Sequence, residues 1–238
     1  MARERPTASQ VIQPTLTYLD VGMTEDFVPR MRGVSHAWGC VVALAAAVVI
    51  VALAPGGAAT TALAVYGAGL VAVFGGSALY HRWPGPMRFK PLLRKIDHSM
   101  IFVFIAASYT PIAAILIDGT TGWLVLMGAW AGAALGVAFS LGWIDAPRPI
   151  VTGSYVALGW LAVIAVPQLV HSLDPAPLVL FAAGGVLYSA GAIVYARQRP
   201  NPWPSTFGFH EVFHVFVIAA AVTHYIAMIG WVLPAASA

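Results

Sequence analysis

The sequence predicts an all-α protein, a seven-transmembrane helix bundle with its N-terminus in the cytoplasm, and three observations predict it. Hydrophobic residues fill 60% of the 238 positions and charged residues only 9%, whereas a soluble domain carries about 25% charged residues. Seven apolar runs follow one another, each near the roughly 20 residues that cross a bilayer core. Every Lys and Arg falls either before the first run or in the breaks after the second, fourth and sixth.

The runs are residues 36–54, 61–80, 96–117, 121–143, 150–170, 177–196 and 209–233. Several of the breaks are Pro, Gly or Asp clusters: Pro55-Gly56-Gly57, Asp118-Gly119, Asp145-Ala146-Pro147 and Asp174-Pro175. Each run is long and continuously apolar, unlike the alternation over about ten residues of a transmembrane strand. Loops this short join antiparallel neighbours. Gly and Ala are frequent in the runs, as close helix packing in lipid requires, and Gly75-Gly76 and Gly184-Gly185 are read as such packing positions. The distribution of Lys and Arg then orients the bundle, because positive loops stay on the cytoplasmic side. Residues 1–33 are polar, lack the apolar core of a secretory signal, and read as a flexible cytoplasmic tail. Residues 34–238 read as the membrane domain.

Composition also removes function classes. The single cysteine, Cys40, excludes a disulfide framework and a cysteine-based zinc site. The net charge of +3 gives no footprint for nucleic acid. No run carries the repeated polar stripe of a water-filled pore. Any metal must be held by His, Asp or Glu.

Ionisable groups inside a span are expensive and are functional candidates by default. The second run ends in Ser77-Ala78-Leu79-Tyr80-His81, the third opens with Lys95-Ile96-Asp97-His98, and the seventh opens with His210-Glu211-Val212-Phe213-His214. In the topology above, all three lie at the cytoplasmic ends of their helices, at one depth. His210 and His214 are four apart, on one helical face and about 6 Å apart along the axis, and two imidazoles so placed can grip one ion. A third ligand from His81 would leave one position of a tetrahedral zinc open, the pattern of a catalytic site. Three histidines with open coordination favour zinc, and zinc brings the pKa of bound water to about 7. Asp97 could orient that water and act as general base. Ser77, one turn before His81, could hold the water or a substrate carbonyl.

Plainer readings stand beside these. A histidine at a span end can face lipid head groups, Ser77 can be a packing hydroxyl, and Asp97 can cap the third helix. His224 lies about 15 Å deeper than His214 and reads as a packing or hydrogen-bonding residue. His36 and His98 are reserve ligands.

Together these residues resemble the haemolysin III family, the bacterial branch of the progestin and adipoQ receptor superfamily. The resemblance rests on Ser77-x3-His81, on Asp97-His98 leading into Ile105-Ala106-Ala107-Ser108-Tyr109-Thr110-Pro111, and on His210-Glu211-x2-His214. It extends over about residues 30 to 232 and implies a seven-helix bundle with the N-terminus inside and an intramembrane zinc. Carried over, the zinc ligands are His81, His210 and His214, Asp97 contacts the zinc-bound water, and Ser77 lies beside the site. The same constellation links the superfamily to alkaline ceramidases, which suggests lipid amide hydrolysis, while the haemolysin label implies a membrane-lytic effect without naming a reaction. One stretch departs from the pattern: many relatives carry a glutamate shortly before the histidine matching His36, and here the chain reads Pro29-Arg30-Met31-Arg32-Gly33-Val34-Ser35-His36.

The expected function is a zinc-dependent hydrolase of lipid amides or esters, serving lipid homeostasis in a bacterial inner membrane with membrane lipids as partners and substrates. The alternative is a non-enzymatic sensor, regulator or cytolytic factor stapled by zinc. A third reading takes His210-Glu211-Val212-Phe213-His214 as a metalloprotease H-E-x-x-H with Glu211 as base. The third ligand, far upstream, argues against it.

Overall fold

The computed structural model describes residues 28–237, and seven helices among them are long and apolar enough to cross a membrane. They are α1 (Val34–Ala52), α2 (Gly57–Arg82), α3 (Met87–Leu116), α4 (Gly119–Gly142), α5 (Arg148–Val170), α6 (Pro175–Arg197) and α7 (Phe209–Ala235). Each expected run coincides with one helix. The largest difference is at α3, which starts at Met87 instead of near residue 96. A short 3-10 turn, Met87–Phe89, leads into a helix with Pro91 in its first turn, where the missing N–H costs nothing. This extension buries Leu93 and carries Lys90, Arg94 and Lys95. An amphipathic turn of this kind is invisible to a count of apolar residues.

Consecutive helices pack side by side, and α7 lies on α6 and returns to α1, which closes the ring. The Tyr225 hydroxyl on α7 donates to Ala46 O on α1 at 2.9 Å. Helices α2 and α3 sit at the centre: half of their most apolar windows is buried, against 17% for α1 and α5. Tyr66 and Val73 of α2, Phe102 and Phe104 of α3 and Met228 of α7 belong to one buried core. Small residues set the closest approaches. A Cβ on Gly69 would lie 2.6 Å from the Ala107 Cβ, and one on Gly184 would lie 2.2 Å from the His224 ring. Gly75 faces Cys40 and Gly76 faces Met100, so the glycine pairs are packing positions.

Two helices are irregular for identifiable reasons. Pro111 has no N–H to give, and the last turns of α3 widen into a π-helix, Ile112–Leu116. In α5 the regular helix stops at Gly159, passes through a 3-10 stretch, Trp160–Ala165, and resumes at Val166. In a bilayer the backbone groups freed by such a break need partners. Tyr109 of α3 supplies them: its hydroxyl donates to Gly159 O at 2.5 Å and accepts from the Ala162 N–H at 2.8 Å.

The α2–α3, α4–α5 and α6–α7 loops lie at one end of the bundle, and that end holds every Lys and Arg among the described residues. Of the expected tail, only residues 28–33 are described, and the remainder lies outside the described residues. The N–H groups of Arg30 and Met31 donate to Ser205 O and Thr206 O at 3.2 and 3.1 Å, so the chain enters α1 alongside the loop that leads into α7.

Candidate metal centre

His81 occupies the last turn of α2, which ends at Arg82 and is followed by Trp83 and Pro84. His210 and His214 occupy the first two turns of α7. That helix starts where it does because its first amides have partners: Asn201 Oδ1 accepts from the Phe209 N–H and Glu211 Oε2 from the Gly208 N–H, both at 2.8 Å. Gly33 fixes the approach of the chain to His81. Its φ is +73°, and a Cβ there would lie 2.5 Å from the His81 Cβ, so a side chain is excluded both by backbone conformation and by contact.

These elements bring three imidazoles together. One ring nitrogen from each of His81, His210 and His214 lies within 4.8 Å of the other two. Ring centroids are 4.7 Å apart for His81 and His210, 4.6 Å for His210 and His214, and 5.4 Å for His81 and His214. The His81 side chain is 5% exposed, and His210 and His214 are buried.

The arrangement fits a metal ion on two counts. Nitrogens bound to one tetrahedral zinc at about 2.0–2.1 Å are separated by roughly 3.4 Å, and His81 Nε2 and His210 Nε2 are 3.1 Å apart. In addition, His214 Nδ1 is buried without a hydrogen-bond partner, as are both ring nitrogens of His36 stacked on it, so the protein leaves imidazole nitrogens unsatisfied in this region, at about 1–3 kcal/mol for a group of this kind. Three neutral imidazoles are a donor set suited to zinc and to neighbouring transition metals.

The other candidates fall into place around this cluster. Asp97 Oδ2 is 3.9 Å from His81 Nε2 and 4.0 Å from His98 Nδ1. Ser77 is buried one turn before His81. His36 stacks flat on His214, with centroids 3.6 Å apart and planes 10° apart, and meets Phe74 edge-on, so it packs over the cluster and lies outside the ligand group. His98 turns along its own helix, Nδ1 lying 2.9 Å from Arg94 O. His224 sits deep in α7, with Nε2 3.2 Å from Phe181 O and its ring between those of Phe181 and Tyr188.

Glu211 is committed elsewhere. It is 1% exposed, takes the Arg32 Nε–H at 2.6 Å on Oε1 and the Gly208 N–H on Oε2. A carboxylate held by a guanidinium and a helix-start amide is not the base of an H-E-x-x-H protease, and that reading fails here.

Arg32, Tyr195 and Arg148 are not singled out by the sequence pattern. Tyr195 packs on the His210 ring at 5.5 Å, and the Arg148 guanidinium lies over the rings of Tyr195 and Phe209. One signal does exist for Arg32: a carboxylate near the start of the seventh run demands a positive partner at the same depth, and the last residues before the first run supply one.

With this geometry in view, the comparisons with known proteins are informative. The family profile described as Haemolysin-III related matches residues 27–225. The hemolysin-3 of Bacillus cereus is 29% identical over 209 residues, which cover 87% of this chain and 92% of that protein. A hemolysin-3 homolog of Bacillus subtilis (strain 168) is 31% identical over 165 residues, 69% of this chain and 74% of its own. The human monocyte to macrophage differentiation factor is 27% identical over 173 residues, 69% of this chain and 67% of its own.

Proposed function

The chain belongs to the Haemolysin-III related family of integral membrane proteins, and from that premise we propose that it is a zinc-dependent hydrolase of lipid amides or esters. The observation that carries the reading is a carboxylate, Asp97, placed 3.9 Å from a histidine of a buried three-imidazole cluster. His81, His210 and His214 would hold the ion. Zinc bound there supplies a Lewis acid and activates water near neutral pH.

The chain's own groups do the rest. The Asp97 carboxylate takes up the proton lost from water and is the general base. The Ser77 hydroxyl can donate a hydrogen bond to a substrate carbonyl beside His81. Arg32, bound to Glu211, braces the start of α7 and so the spacing of His210 and His214. The cluster lies at the basic end of the bundle, where the positive-inside rule puts the cytoplasmic leaflet, and a bacterial inner membrane is the proposed location. Acyl chains of substrate lipids would lie along the helices. The test is incubation of purified, zinc-replete protein with a panel of lipid amides and esters beside an Asp97→Asn variant. Turnover by the wild type alone supports the proposal. Intact lipids in both, with zinc retained, refute it.

A second reading has its own support. His36 stacked on His214 and the Arg32–Glu211 pair wrap the cluster in packed side chains, as a structural staple would require. In that case Asp97→Asn leaves the cellular phenotype intact, and His210→Ala lowers the melting temperature along with the metal content.

A further inference from the structure

Helix α1 is among the least engaged of the seven, with 17% of its most apolar window buried. Its buried residues are His36, Ala43 and Ile50. They recur at every seventh position, which puts them on one stripe of the helix. His36 heads that stripe in the first turn and is 3% exposed. An imidazole is an expensive group to bury on a helix that otherwise faces lipid.

The surroundings of His36 are rings. It lies flat on His214 of α7, with centroids 3.6 Å and planes 10° apart, and the Phe74 ring of α2 meets it edge-on at 5.0 Å and 75°. Gly39 makes room for Phe74, since a Cβ there would lie 3.3 Å from that ring. The Arg32–Glu211 pair lies four residues before His36 and three before His214. The start of α1 therefore meets the start of α7 twice along one seam, first through the ion pair and about one turn later through the stacked rings.

A metal-bound imidazole is ordinarily aimed by a hydrogen bond from its second ring nitrogen, and loss of such a partner costs about 10–100-fold in affinity. His81 has the Asp97 carboxylate at 3.9 Å. His214 Nδ1 is buried with no hydrogen-bond partner. The contact that defines the plane of the His214 ring is the flat one with His36.

We propose that His36 is a positioning residue of the metal centre: its ring, wedged by Phe74 and laid flat on His214, sets the plane of that imidazole before the ion arrives. The flat face does this and the nitrogens do not, since both ring nitrogens of His36 are buried without a partner. A ligand aimed in advance loses less freedom on binding. The inference rests on the metal reading of the three histidines and holds whether or not the site turns over a substrate.

The test uses the full chain in detergent. Zinc affinity is read by competition with a chromogenic chelator, ligand geometry by the visible absorption of the cobalt-loaded protein, and stability by the melting temperature without metal. The variants are His36→Phe, which keeps a flat ring, His36→Leu, which keeps bulk alone, His36→Ala, and Ile50→Ala, which opens the same stripe far from the cluster. His36→Phe should match the wild type in affinity and spectrum. His36→Leu and His36→Ala should bind zinc at least roughly tenfold more weakly and show altered cobalt bands. Ile50→Ala should melt earlier yet keep the wild-type affinity and spectrum. Wild-type affinity and bands in His36→Leu would overturn the proposal, as would a His36→Phe protein that loses as much as His36→Leu, or an Ile50→Ala protein that loses as much zinc affinity. A wild type that takes up neither metal would overturn the metal reading itself and this inference with it.

Discussion

Arg32 and Glu211 form a buried ion pair that joins the segment before α1 to the first turn of α7, with Nε and Oε1 2.6 Å apart across 179 residues of sequence. Their side chains are 9% and 1% exposed. Removing one member strands the other charge, so Glu211→Ala should destabilise the bundle by about 3–5 kcal/mol, read as a lower melting temperature in detergent. Arg32→Met combined with Glu211→Met should recover much of that loss, since a buried pair replaced by apolar groups is often neutral. The Gly208 N–H would still lose its acceptor. A double variant no more stable than either single one would show that the pair is not what joins the two segments.

Metal content tests the histidine cluster directly. Detergent-purified wild type should retain about one zinc per chain, and His210→Ala should lose it on dialysis against a weak chelator, because a pair of imidazoles holds zinc far less well than three. Elemental analysis of the two proteins side by side is the measurement. Equal metal in both would remove His210 from the ligand set.

Gly33→Ala tests how the cluster is built. The added methyl meets His81 and a backbone at φ +73°, a conformation disfavoured by about 1–2 kcal/mol for a residue with a side chain. The variant should fold yet hold zinc more weakly, through a displaced His81. Unchanged zinc affinity would mean that the approach to α1 does not set the His81 position.

Asp97→Asn separates chemistry from architecture. It preserves shape and removes the base, so turnover should fall by about 10²–10⁴-fold with zinc content unchanged. A comparable loss of zinc in this variant would assign Asp97 to holding the ion instead.

Tyr109→Phe addresses the break in α5. The lost hydroxyl removes the side-chain partner of Gly159 O and of the Ala162 N–H, and about 0.5–1.5 kcal/mol of stability should go with each bond. Hydrogen exchange should accelerate at residues 159–165 and stay unchanged in α2. Uniform exchange across the chain would show that the break is held by other contacts.

The helix count is legible in the sequence because it rests on strong local signals, whereas the histidine trio becomes legible only when the His210–His214 spacing is combined with the membrane depth that His81 shares. Apolar runs of bilayer length exclude most alternatives, and His210 with His214 declares a shared face by spacing alone. Asp97 beside His81 is legible for a related reason, since a common membrane depth follows from the topology. The amphipathic start of α3 is hidden, because its Lys and Arg interrupt the apolar pattern while its Leu93 completes the core. Arg32 is hidden more deeply. Its partner is on the last helix, and nothing within its own neighbourhood distinguishes it from a solvated arginine. Tyr195 and Arg148 are unreadable for the same reason, as their meeting depends on how α5 and α6 lean together.

Two of the three imidazoles ride on α7 and the third on α2. Until α7 docks, His81 has neither of the two imidazoles that complete the cluster. An ion gripped by all three would therefore tie α7 to α2, two helices that do not follow one another in the chain, and act as a latch between them.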